Sequence, residues 1–80
     1  MATYLLKEFH SIAKVGDKIT YADDLNFMSY KIIEIFDNGF SIEATNNNCN
    51  VEKGDCEDLH IATMQHGWQI WLTPFQIMNR

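Results

Sequence analysis

A mainly β or α+β fold, a small and strongly bent antiparallel sheet carrying a short N-terminal helix, is the class this sequence predicts. The first reason is the stretch Tyr30 to Thr45, where two runs of β-branched and aromatic residues meet at Asn38-Gly39. That dipeptide favours a type I′ hairpin turn, because Asn and Gly reach positive φ at the lowest steric cost. The second reason is the recurrence of short strand-forming runs between turn residues: Ile19-Thr20-Tyr21, the hairpin arms, Leu59 to Met64 and Trp68 to Leu72. The third is length. A chain of 80 residues hides only about 60% of its unfolded surface, so one domain over 1–80 is expected.

Along the chain, Leu5, Leu6, Phe9, Ile12 and Ala13 recur at helical intervals between Thr3 and Lys14, with Lys7, Glu8, His10 and Ser11 on the other side. This spacing predicts a short amphipathic helix. An N-terminal strand competes with it, because Thr3, Tyr4 and Leu5 have strand propensity and the segment is short for a helix. Val15-Gly16-Asp17-Lys18 ends the pattern, Ile19-Thr20-Tyr21 reads as a strand, and Asp23, Asp24 and Asn26 mark a polar turn. In the hairpin, a two-residue Asn38-Gly39 loop sets Ile35 opposite Ile42 and Ile33 opposite Ala44 on the core face, with Glu34 opposite Glu43 on the other. Ile32 and Phe36 are then expected on the outer face.

The Asn46 to Asn50 run opens a loop expected to reach about Asp58, with a turn at Glu52-Lys53-Gly54-Asp55. Leu59 to Met64 and Trp68 to Leu72 follow as strands around a Gln65-His66-Gly67 turn. Thr73-Pro74 suits a helix start, with Thr as cap and Pro as first residue, and is expected to return Phe75, Ile77 and Met78 to the core. The run Val15 to Ile19, the central hairpin, and a last hairpin ending in a helical turn resemble the order of SH3-like barrels across Val15 to Phe75. The resemblance implies an SH3-like open barrel. It implies nothing about a ligand.

Eleven Asp and Glu against six Lys and Arg give a net charge of −5, which works against phosphate backbones and anionic membranes and favours a basic protein partner. Tyr4, Tyr21, Phe27 and Tyr30 could form an aromatic strip of the kind that binds single strands, but no interleaved Lys or Arg accompany them. No direct nucleic-acid or membrane partner is therefore expected. The segment ahead of Lys7 lacks the apolar run of a signal peptide or spanning helix, so a cytoplasmic protein is expected. In that compartment Cys49 and Cys56 are expected as thiols, with a disulfide or metal ligation as alternatives.

Cys49, Cys56, His60 and His66 are the soft ligands, spaced C-x6-C-x3-H-x5-H. Structural zinc sites bring ligands in on tight knuckles of two to four residues, and this spacing is wider, so no metal and no other cofactor is expected. Cys56 with His60 or His66 could pair as nucleophile and base, yet no Gly-rich oxyanion or phosphate loop accompanies them. No enzyme is expected. The candidate partner surface is instead acidic and aromatic: Asp23, Asp24, Glu52, Asp55, Glu57 and Asp58 on two loops, with Trp71 turned outward from the last strand as an anchor. The expected role is a small non-enzymatic protein-binding module, an inhibitor or adaptor of the kind found among small phage and mobile-element proteins. The alternatives are an accessory subunit of a larger complex and, third, a small metal-binding protein.

Overall fold

The computed structural model describes residues 2–23, 27–48 and 50–79. It is mostly β: a six-stranded, wholly antiparallel open sheet with one short C-terminal helix. The strands are β1 (Ala2–Leu5), β2 (Lys18–Ala22), β3 (Phe27–Phe36), β4 (Gly39–Ala44), β5 (Cys56–His60) and β6 (Trp68–Leu72), in spatial order β1-β6-β2-β3-β4-β5. The helix α1 spans Pro74–Met78. Period-two alternation puts one set of side chains on the inner face, where Ile19, Met28, Tyr30, Ile32, Phe40, Ile42, Ala44, Leu59, Trp68, Ile70 and Leu72 form a contiguous buried core. Leu6 and Ala13, which follow the first strand, are buried with this cluster.

The expected N-terminal helix is replaced by strand β1 and a 3₁₀ turn over Leu6–Phe9. β6 has one edge on β2, and its other edge would be a row of unpaired backbone groups. Ala2 through Leu5 fill that edge, pairing with Leu72 through Gln69. The helical spacing of the apolar residues survives in the turns that follow. Ala13 N–H donates to the Phe9 carbonyl at 2.8 Å, and Leu6 and Ala13 are both buried.

The hairpin forms where the sequence places it, but by a different turn and register. Phe36 pairs with Gly39, so the loop is Asp37-Asn38, and neither residue has positive φ. A type I′ turn is thereby excluded. Gly39 serves instead as a point of close approach: it is the first residue of β4 and lies between Phe36 on β3 and His60 on β5, and a Cβ there would overlap the Leu59 carbonyl oxygen. His10 fastens this corner, its Nε2 standing 2.8 Å from the Phe36 carbonyl.

Further along the same hairpin a β-bulge separates Ile32 from Glu34. It reverses the expected faces: Ile32 is fully buried, whereas Ile33 is 38% exposed. The cause lies outside the hairpin. The turn at residues 14–17, stapled by the Lys14 N–H to Asp17 Oδ2 bond at 2.8 Å, offers the Asp17 carbonyl and Gly16 N–H to the Ile32 backbone at 3.0 and 2.7 Å. Beyond the bulge Lys31, not Glu34, faces Glu43, and the pair closes to 3.0 Å. Two like charges in direct opposition are thus avoided.

The Asn-rich loop is shorter than expected, because β5 begins at Cys56, and Leu59 is its inward residue rather than the start of a strand reaching Met64. After His60 the chain makes a 3₁₀ turn over Ile61–Thr63. Within the loop the asparagines act as substitute ladder partners. Asn46 Oδ1 accepts from Ser29 N–H at 2.8 Å and Asn47 Oδ1 from Lys53 N–H at 2.6 Å. The Gln65-His66-Gly67 turn forms as expected, with Gly67 at φ 104°. Helix α1 carries a complete capping box: Gln76 N–H donates to Thr73 Oγ1 at 3.1 Å while Thr73 N–H donates to the Gln76 side chain at 2.7 Å. Its apolar residues do not all return to the core, however: Ile77 packs there, but Phe75 and Met78 remain exposed.

Candidate functional site

The strand pairings bring one group of polar and aromatic residues together that sequence order keeps apart. Tyr21 on β2 stands opposite both Met28 on β3 and Trp68 on β6, and Tyr30 and Ile19 form the next pair along the inner face. Trp68 therefore packs between two tyrosines, with ring centroids 5.0 Å from Tyr21 and 5.3 Å from Tyr30. Such tilted ring pairs add to the apolar burial beneath them. The resulting aromatic wall lines an open cleft of about 380 Å³, whose other boundaries are Leu59 and Glu57 of β5, Asp23 after β2, and the loop residues Asn48, Asn50 and Val51.

Glu57 faces this cleft because residues 57 and 59 of β5 share the inner face, opposite Ile42 and Phe40. Its carboxylate acts on Tyr30: burial raises the phenol above its ordinary value near 10, and the negative charge of Glu57 raises it further. Tyr21 is oriented by its hydroxyl, which donates to Gln65 Oε1 at 3.0 Å at the rim. No Lys or Arg is among the described residues that line the cleft.

The acidic residues singled out in the sequence are not one patch. Asp23 and Glu57 line the main cleft, and Asp55 lines a smaller adjoining hollow of about 240 Å³ that shares Tyr30, Asn50, Val51 and Glu57 with it. Asp55 also accepts the Glu52 N–H at 3.0 Å, which holds the turn carrying both acids. Asp58 points to the opposite face of β5, where Ser41 Oγ donates to it at 2.8 Å. Asp24 lies outside the described residues.

Trp71 is on the outer face, as its parity predicts, but half-buried. Its Nε1 donates to the buried Thr20 hydroxyl at 3.0 Å, and Lys18 Nζ stands 5.3 Å from its ring centroid. Trp71 and the Glu57 cleft thus occupy opposite faces, and β2, β3 and β4 separate Trp71 from Asp58. Cys56, His60 and His66 do not converge; among the described residues no three of His, Cys, Asp or Glu gather as a metal-binding set, and Cys49 lies outside them. Cys56 itself is an exposed free thiol. No helix among the described residues is long and apolar enough to cross a membrane.

The sequence marks Tyr21 and Tyr30 as aromatics, Trp68 as the start of the last strand and Asp23 and Glu57 as acids, without joining them. The signal that joins them is inner-face parity across β2, β3, β5 and β6, which requires the strand order. No family model, no curated protein and no solved structure matches this chain.

Proposed function

We propose that this chain is a small cytoplasmic, non-enzymatic module of SH3-like shape that binds a basic surface of another protein, as an inhibitor or adaptor does. The observation that carries the reading is the open cleft whose aromatic wall is edged by Asp23 and Glu57, with Asp55 in the adjoining hollow and Glu52 exposed on the same turn. Concave aromatic surface supplies contact area, while carboxylates on a chain of net charge −5 supply long-range attraction for a cationic partner. The SH3-like reading is supported by β3, which pairs with β2 over its first half and with β4 over its second, and by the 3₁₀ turn Ile61–Thr63 ahead of the last strand.

The test begins with capture of partners from a lysate by the full chain and identification by mass spectrometry. Association with the captured partner is then timed at several ionic strengths. Reversal of Asp23, Glu52 and Asp55 to Lys is expected to slow association and flatten its salt dependence. A partner with an acidic contact surface, or an unchanged salt slope in the triple variant, sinks the reading.

A further inference from the structure

We infer that the inner-face cleft receives a single arginine side chain from a basic protein segment, its guanidinium against the Tyr21–Trp68 wall and paired with Glu57. This rests on the reading above and names the chemistry that the cleft selects.

The rings come first. A cation within about 6 Å of an aromatic centroid is attracted by the ring quadrupole. The Trp68 ring touches both tyrosines, with centroids 5.0 Å from Tyr21 and 5.3 Å from Tyr30, so the three line the cleft as one wall whose most open ring is Tyr21. A planar, weakly hydrated guanidinium can lie along such a wall, whereas a compact ammonium keeps its water and meets the rings at one point. The chain already makes a contact of this kind on its other face, where Lys18 stands 5.3 Å from the centre of Trp71.

The acceptors come second. A guanidinium carries five N–H donors in a fixed fork and needs several acceptors converging from one side. Residues that carry carboxylate or amide oxygens line the cleft: Glu57, Asp23, Asn50 and Gln65, the last already accepting from the Tyr21 hydroxyl. No ion pair among the described residues engages Glu57, and its charge bears instead on the buried Tyr30 phenol, which a bound cation would relieve. The volume, about 380 Å³, exceeds what one guanidinium fills and leaves room for the aliphatic stem and the adjoining peptide.

The experiment uses the full chain, labelled for NMR, at physiological ionic strength. The probes are a short Gly/Ser peptide carrying one arginine and the same peptide with lysine or with citrulline, the neutral isostere of arginine. The arginine peptide is expected to shift the amides of Tyr21, Glu57 and Gln65 and the Trp68 indole, with the lysine peptide weaker by about fivefold and the citrulline peptide silent. Glu57→Gln, which keeps the side-chain shape, should weaken the arginine peptide by about tenfold, with unshifted core methyl signals showing an intact fold. Tyr21→Leu should weaken it by about fivefold. Equal binding of citrulline or lysine, shifts confined to other residues, or full affinity in Glu57→Gln would each overturn the assignment. An oligoarginine peptide separates the two levels. If it binds wild type and Glu57→Gln alike, the acidic-surface reading stands and the cleft assignment falls; if it does not bind wild type, both fall.

Discussion

Replacing Gly39 by Ala distinguishes two physical accounts of the hairpin that both require glycine there. Were Gly39 a turn residue at positive φ, an added Cβ would cost about 1 kcal/mol in backbone strain. The observed Gly39 has no such φ; its Cβ would overlap the Leu59 carbonyl and come within 3.0 Å of the Phe36 ring and 3.1 Å of His60 Cα. Backbone cannot rotate aside as a side chain can, so β5 must move away from β4. That movement strains or opens the Gly39–His60 pairing and the 2.9 Å bond from Ile61 N–H to the Asn38 carbonyl. Overpacking costs about 1–3 kcal/mol and a lost hydrogen bond about 1 more, giving a loss of about 2–4 kcal/mol. In a domain of this size that is a fall in Tm of at least about 8 °C. Asn38→Ala is the partner measurement: Asn38 is exposed and lacks positive φ, so its replacement should stay within about 0.5 kcal/mol, whereas a type I′ turn would make it costly too. Urea titrations followed by tryptophan fluorescence read both variants, and a lower m-value for Gly39→Ala would report release of β5. A Gly39→Ala loss near 1 kcal/mol matched by an equal Asn38→Ala loss would refute the close-approach account.

The bulge predicts an inequality between neighbours: Ile32→Ala should cost about 2–5 kcal/mol and Ile33→Ala less than about 1, read from chemical denaturation midpoints. Trp71→Phe leaves the buried Thr20 hydroxyl without its donor and should cost about 1–2 kcal/mol, while the double variant with Thr20→Val should cost less than the two singles combined. The raised Tyr30 phenol means that the folded state holds its proton more tightly than the unfolded state. That contribution is fully present below the ordinary value of about 10 and is lost as pH rises through the raised one, so alkaline unfolding should be shallower in Tyr30→Phe than in wild type. An identical alkaline profile in the two proteins would remove that coupling.

How far the fold could be read from residues depended on how local its causes are. The Thr73-Pro74 helix start, the Gly67 turn and the outer-face parity of Trp71 follow from a few adjacent residues, and each is found. The N-terminal segment does not. Its apolar spacing satisfies a helix, yet the free edge of a strand more than sixty positions away draws residues 2–5 into the sheet. The hairpin fails for the same reason at finer scale. Asn38-Gly39 carries the strongest local turn signal in the chain, but β5 packs over Gly39 and the turn at residues 14–17 claims the backbone of Ile32. Together they move the loop one residue toward the N-terminus and turn Ile32 inward.

The candidate site is less legible than the fold because it exists only after the strands are ordered. Glu57 and Asp58 are one acidic run in the sequence and opposite faces in the structure, since neighbouring residues of a strand must point apart. A charge cluster counted along the chain therefore overstates the surface that any one partner can meet. The aromatic residues run the other way. Tyr21, Tyr30 and Trp68 are scattered over 48 positions, with nothing in their spacing to join them, yet the β6-β2-β3 order puts them in ring contact. Trp71, by contrast, has the outward parity that made it a candidate anchor, but its indole N–H is committed to Thr20 and its ring to Lys18. A partner contact there must leave those interactions in place. Among the described residues no ion pair engages Glu57, and this is why the proposed partner contact is set on the inner face rather than on the outer tryptophan.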